Sequence, residues 1–260
     1  LNSSPILQQR LHRPPPRRLD IHTTLHHFAL INYAVPAERL RPHIPESRFA
    51  IPEFEINGRP QALLSVVPFV DTDFRYIRLA PWLKMRFGQT NYRVYVIDRQ
   101  TGEHVVWFFG TTLGSPIVYL ARSLWRIPWY YGRYTINCHH RNGRYAQFSY
   151  RTESDWGAAE IDVLDTGQPM TLQAGFDDLE QMQLILTHPV RGFYQRLDGR
   201  IGSYTIWHQL MAMTLAQPQR LYFGLLERLR VLTKEEMQQP HSIFLCPAIA
   251  FDIHLPPVTV

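Results

Sequence analysis

The sequence predicts a mainly β protein of the α+β kind, with a few covering helices. Three observations carry this. Many short runs alternate apolar and polar residues with period two. The 20 prolines, set against 14 glycines, punctuate those runs too often for a helical bundle. Aromatic residues make up 13% of a chain that is 45% hydrophobic, as an aromatic-filled β core needs. At 260 residues the chain can bury a sizeable core.

Residues 1–18 carry Arg10, Arg13, Arg17 and Arg18 with no acid, around Pro14-Pro15-Pro16. This segment holds +4 of the net +5 and leaves the rest nearly neutral. It is expected to be a disordered basic arm, followed by a single domain over 19–260. Its functional alternative is an anchor for nucleic acid or an anionic membrane, disfavoured because the body has no matching basic run.

Leu19 to Ala34 reads as an extended strand, rich in histidine at His22, His26 and His27. Val35 to Pro45 is a short helix opened by Pro36. Phe49 to Ile56 is a strand, Gly58 a turn, and Gln61 to Val70 an apolar strand in which Pro68 marks a bulge or an edge. From Gln89, alternation puts Gln89, Asn91, Arg93 and Tyr95 on one face and Tyr92, Val94 and Val96 on the other. A polar turn leads to Val105–Thr112, apolar on both faces and interrupted by Gly110, where a bend or close backbone approach is expected. Ser115 as N-cap and Pro116 at the first helical position open a helix with Ile117, Leu120, Ala121, Leu124 and Trp125 at helical spacing, ended by Pro128.

Tyr131–Cys138 and Tyr145–Thr152 form a hairpin around Asn142-Gly143. Ala159 to Leu164 is a strand and Asp177 to Leu186 a short helix. Tyr204 to Leu215 fits strand or helix. Leu221, Leu225, Leu229 and Leu232 predict a helix over 218–232, and Ile243 to Leu255 a last strand.

Five segments resemble the YqjF-like family of uncharacterised proteins, which is related to acetoacetate decarboxylase: VPAERLRPHIP, SVVPF, NYRVYV followed by VVWFF, the helix running into IPWYYGRY, and the isolated histidine of YTIWHQL. In this order they cover roughly Leu25 to Leu255. The resemblance implies a cone-shaped, mostly antiparallel acetoacetate decarboxylase-like β-barrel with an interior pocket. The related decarboxylases use a lysine pair after a glycine-apolar-proline step to form a Schiff base. Here the corresponding stretch is Arg126-Ile127-Pro128-Trp129-Tyr130, and neither Trp129 nor Tyr130 can form an imine. The acid expected on the earlier strand is replaced by Gln89. The chain has two lysines. Lys234 in TKEEM reads as solvated, and Lys84 as a surface lysine, with a pocket position as its alternative.

The expected function is therefore binding of a small carboxylate-bearing or aromatic molecule inside the barrel, without Schiff-base chemistry. The expected contacts are Gln89, Asn91, Arg93, Trp129, Tyr130 and Arg133. Arginine suits bidentate carboxylate recognition and amides fix orientation. Tyr130 and His208 are the candidates for proton transfer in a lyase or hydrolase step, although a lone histidine among Trp207, Leu210 and Met211 is more often a hydrogen-bonded core residue. A non-enzymatic interaction protein that uses the basic arm is the alternative from another class. No cofactor is expected. His26-His27 and His139-His140 do not make a metal site, because adjacent strand residues point to opposite faces. Cys138 and Cys246 have no metal-ligand spacing and are read as reduced thiols of a cytoplasmic protein; homo-oligomerisation is left open.

Overall fold

In the first long strand, β1 (Ile21–Val35), both faces are buried. Leu25, Phe28 and Leu30 belong to one core, and Ala29, Ile31 and Tyr33 to another. A strand apolar on both sides is a wall between two cores. The parity shifts at His27, whose φ of 52° inserts an extra residue between Leu25 and Phe28.

The computed structural model describes residues 4–260. After β1 come β2 (Phe49–Ala50), β3 (Phe54–Ile56), β4 (Arg59–Tyr76), β5 (Met85–Asp98) and β6 (His104–Leu113). Strands β7 (Trp129–Tyr131), β8 (Arg133–Arg141), β9 (Arg144–Glu153) and β10 (Ala159–Pro169) follow. Then come β11 (Arg191–Gln195), β12 (Ile201–His208), β13 (Thr214–Phe223) and β14 (Ser242–Thr259). The helices are α1 (Pro5–Leu11), α2 (Ile117–Trp125), α3 (Leu179–Leu186), α4 (Gly224–Arg228) and α5 (Lys234–Met237).

Strands β1, β4, β5, β6, β11, β12 and β14 pair in that order, and β14 returns to β1, which closes a barrel. Its neighbours are antiparallel except β6 and β11, which run parallel. At Leu245, β14 also passes to β13, and the sheet continues through β10 and β9 to β8. This second sheet covers the outer barrel wall: Tyr145, Phe148, Tyr150, Ile161 and Phe223 share a core with Val66, Tyr92 and Val94. The barrel interior is a separate core of Phe28, Val67, Phe69, Val106 and Phe108, stoppered by Met182, Ile185 and Leu186 of α3.

The expected bend at Gly110 is present. Its φ is 152°, and β5 slips register opposite it, between Tyr92 and Arg93. A β-carbon there would meet the Trp156 ring at 2.7 Å and the Pro128 carbonyl at 2.9 Å. The Asn142-Gly143 turn takes positive φ at both residues, 52° and 80°, as a two-residue type I′ hairpin requires.

Four expectations are corrected. Residues 4–18 are not a disordered arm; residues 1–3 lie outside the described residues. α1 is capped by Ser4 and buries Leu7, Arg10 donates to the carbonyls of Leu184 and His188, and Trp207 Nε1 donates to Leu11. Arg13 grips buried Asp252 through two bonds of 2.7 and 3.1 Å, and Arg17 lies 3.4 Å from Asp20. α2 starts at Ile117 with Pro116 as its cap residue, and it buries Val118 and Ala121 while Leu120 and Leu124 stay exposed. Residues 218–223 belong to β13, where Leu221 and Phe223 alternate into the core; only Gly224–Arg228 is helical. The ambiguous 204–215 stretch is neither one strand nor one helix: β12 ends at His208 and β13 begins at Thr214.

Candidate ligand site in the barrel interior

The inward face of β5 carries three polar side chains into the barrel. Gln89, Asn91 and Arg93 all line the interior cavity, as their alternation demands. The apolar walls are Leu25, Phe28, Val67, Phe69, Phe108 and Phe251. About 720 Å³ lies free of protein atoms, mouth included, but only about 70 Å³ of it is wide enough to admit the centre of a water molecule. The space is therefore narrow.

The polar groups are partly tied. Arg93 donates from Nε to Ser65 Oγ at 2.9 Å and from Nη2 to the Leu186 carbonyl at 3.1 Å, with its guanidinium 5.6 Å from the Tyr95 ring centre. Among the described residues no carboxylate pairs with it. Asn91 Oδ1 accepts from Gln89 Nε2 at 3.0 Å and from Thr111 Oγ1 at 2.7 Å. Those two bonds leave the Asn91 NH₂ and the Gln89 carbonyl oxygen for a ligand.

His208 also lines the cavity, but by its ring, which stacks on Phe251 at 4.4 Å. Both ring nitrogens face backbone carbonyls, of Gln209 at 2.7 Å and Thr187 at 2.9 Å. Burial lowers its pKa to about 4. This is the geometry of a hydrogen-bonded core histidine. Its neighbour His188, 4.4 Å away between ring centres, is held at about 3 by burial and by His208.

The remaining expected contacts lie outside the cavity lining. Trp129 packs against the interior core and the cluster of Phe74, Phe87 and Leu113. Tyr130 stacks on Trp156 at 4.1 Å with Arg122 over its ring. Arg133 is exposed and lies 3.4 Å from exposed Glu153. Both lysines are at the surface, Lys84 3.2 Å from Asp73 and Lys234 3.5 Å from Glu227.

One acidic wall residue escaped the sequence reading. Asp71 lines the cavity at 1% exposure. Its Oδ1 accepts from Thr23 Oγ1 at 2.8 Å, and its Oδ2 has no partner. Burial without a cation raises its pKa to about 7. The available signal was parity: Asp71 follows Val67 and Phe69 at two-residue steps.

The family model for an uncharacterized conserved protein (COG2071) matches residues 22–250. The chain belongs to the DUF2071 family. No curated protein matches this DUF2071 chain. Among solved structures, it is similar to the enduracididine biosynthesis enzyme MppR with HEPES buffer bound (TM-score 0.59, 13% identity, 99% of this chain and 92% of that one). It is similar to an acetoacetate decarboxylase from Legionella pneumophila (TM-score 0.54, 12% identity, 100% and 96%). It is also similar to an acetoacetate decarboxylase-like enzyme from Sphingomonas wittichii RW1 (TM-score 0.58, 9% identity, 94% and 94%). At these identities the likeness is one of fold, and the DUF2071 chain has the acetoacetate decarboxylase-like barrel that its sequence resembled.

Proposed function

We propose that this chain binds a small carboxylate inside the barrel, with Arg93 as the carboxylate-holding residue and Asn91 and Gln89 orienting the ligand. The observation that carries this is the state of Arg93. Its guanidinium reaches a narrow cavity with largely apolar walls and is held by hydroxyl and carbonyl oxygens, with no carboxylate partner among the described residues. A cation in such surroundings gains from an anion that replaces its lost hydration. The apolar walls fit an aliphatic or aromatic body. An MppR complex holds pyruvate, which makes pyruvate a natural first probe. Chemistry in this cavity proceeds without an imine, since Lys84 and Lys234 are engaged at the surface. The unpaired thiols of Cys138 and Cys246 accord with a cytoplasmic setting. The engagement of Arg10, Arg13 and Arg17 within the fold speaks against the basic segment as a free contact surface.

Calorimetric titration with pyruvate and with benzoate tests the assignment. At least one should bind, and Arg93→Gln should weaken it by roughly 10- to 100-fold, the worth of charge-assisted hydrogen bonds. Borohydride treatment with pyruvate should leave the intact mass unchanged. Unaltered affinity in the variant would overturn the role of Arg93, and a reduced adduct would overturn the imine-free chemistry.

A further inference from the structure

The carboxyl of Asp71 is not explained by the packing around it. It is buried on the cavity wall, no cation pairs with it among the described residues, and only one of its oxygens is bonded. An ionised carboxylate would be left with a bare charge in apolar surroundings. With Thr23 donating to Oδ1 at 2.8 Å rather than to its longer second acceptor, the Thr72 carbonyl at 3.2 Å, a neutral acid carries its O–H on the unbonded Oδ2. Either way the site is incomplete without an occupant.

Its position relative to Arg93 defines what that occupant is. Ser65, which holds Arg93, and Asp71 are six residues apart on β4, about 20 Å of strand at ~3.3 Å per residue. Side chains reaching inward shorten this gap, but the two groups remain separate and form no ion pair. The wall between them carries Val67, Phe69, Phe108 and Phe251, with Gln89 and Asn91 opposite Phe69 and Val67 on β5.

We propose that Asp71 is a second recognition point of the cavity, which as a neutral acid donates a hydrogen bond to an uncharged acceptor oxygen at the far end of an extended carboxylate. This rests on the assignment of Arg93 and narrows the ligand class. The ligand has a carboxylate at one end, an apolar middle, and a carbonyl, ether or amide oxygen at the other. Asp71 is neutral below about pH 7. The groups around it do not titrate between pH 6.5 and 8. Thr23 of β1 and Gln89 of β5 carry no titratable proton there. His208 and Tyr204 of the cavity wall, and His26, Tyr134 and Tyr150 beyond it, do not change charge in that window: burial lowers both histidines below 6.5 and raises the three tyrosines above 10.

The test compares oxo acids with alkanoates of equal length: 5-oxohexanoate against hexanoate, and 7-oxooctanoate against octanoate, by titration calorimetry at pH 6 and 8. The wild-type protein should favour the better-fitting oxo acid by roughly tenfold at pH 6, and this preference should shrink at pH 8 as Asp71 ionises. Asp71→Val, similar in shape without a donor, should abolish the preference and leave alkanoate affinity in place. Asp71→Asn keeps a donor, so it should keep the preference and lose its pH dependence; it also serves if the valine variant does not fold. Equal affinities in the wild-type protein at pH 6, or a preference that survives in Asp71→Val, would overturn the role of Asp71 alone. Failure of every acid, oxo or not, to bind would overturn the carboxylate site and this inference with it.

Discussion

At the scale of single residues, the interior balances groups that titrate in opposite senses. His27, His188 and His208 are held near 4, 3 and 4, below their ordinary 6.5, chiefly by burial. In the unfolded chain they bind protons first, so acidification from pH 6.5 towards 4 draws the equilibrium to the unfolded state. Asp71 works the other way. Its folded value near 7 exceeds its ordinary 3.8, so its stabilising share is complete at low pH and is lost as pH rises towards 7. Three groups against one give a net rise in stability from pH 4.5 to 6.5. Urea midpoints should follow that slope, and Asp71→Asn should gain on the wild-type protein as pH rises from 5 to 8. A constant difference between the two proteins across that range would show that Asp71 is already ionised in the folded state.

Among the elements, the N-terminal segment departs furthest from expectation. Its arginines looked like a solvated charge run because composition records charge but not partners. The partners of Arg10 and Arg13, the end of α3 and Asp252, lie more than 170 residues away. Removing residues 1–18 should leave Asp252 with His22 as its one remaining ion-pair partner and uncover Trp207. Arg13→Ala alone should cost about 1–2 kcal/mol, less than for a fully buried pair because Arg13 is half-exposed. Chemical denaturation of both variants checks this; unchanged midpoints would mean that the segment is a passenger. The leucine spacing at 221–232 misled for a related reason. A strand that alternates into a core and then turns into one helical turn leaves the same sequence trace as a longer amphipathic helix. Asp71 was missed because an acid at the end of an apolar run reads as a strand terminus, whereas β4 continues to Tyr76. The β5 face was legible since period-two alternation survives any packing, and Gln89, Asn91 and Arg93 stand together on the cavity wall as that alternation requires. Trp129 and Tyr130 were placed by analogy to a motif whose lysines this chain lacks, and their side chains pack elsewhere; Arg133 was placed by the face it shares with Tyr131, and that face meets solvent.

For the whole molecule, the barrel's closure has one uneven joint. The parallel contact of β6 with β11 rests on Gly192↔Val106, Phe193↔Trp107 and Tyr194↔Phe108, while β5 and β6 share a far longer ladder. Parallel pairing is slightly weaker per residue than antiparallel. Gly192 has no side chain to brace the joint, and a β-carbon there would strike the Phe108 ring at 2.5 Å. Local opening starts where a structure is least fastened. Amide hydrogens of Gly192–Tyr194 should therefore exchange with deuterium sooner than those of central β4 and β5, and a bound carboxylate should slow them; uniform protection around the ring would disprove this. Val106, Phe108 and Gly192 also line the cavity. On the proposed reading, this parallel joint is the barrel's natural door, and the rate at which a carboxylate would come and go becomes a property of the backbone rather than of the pocket.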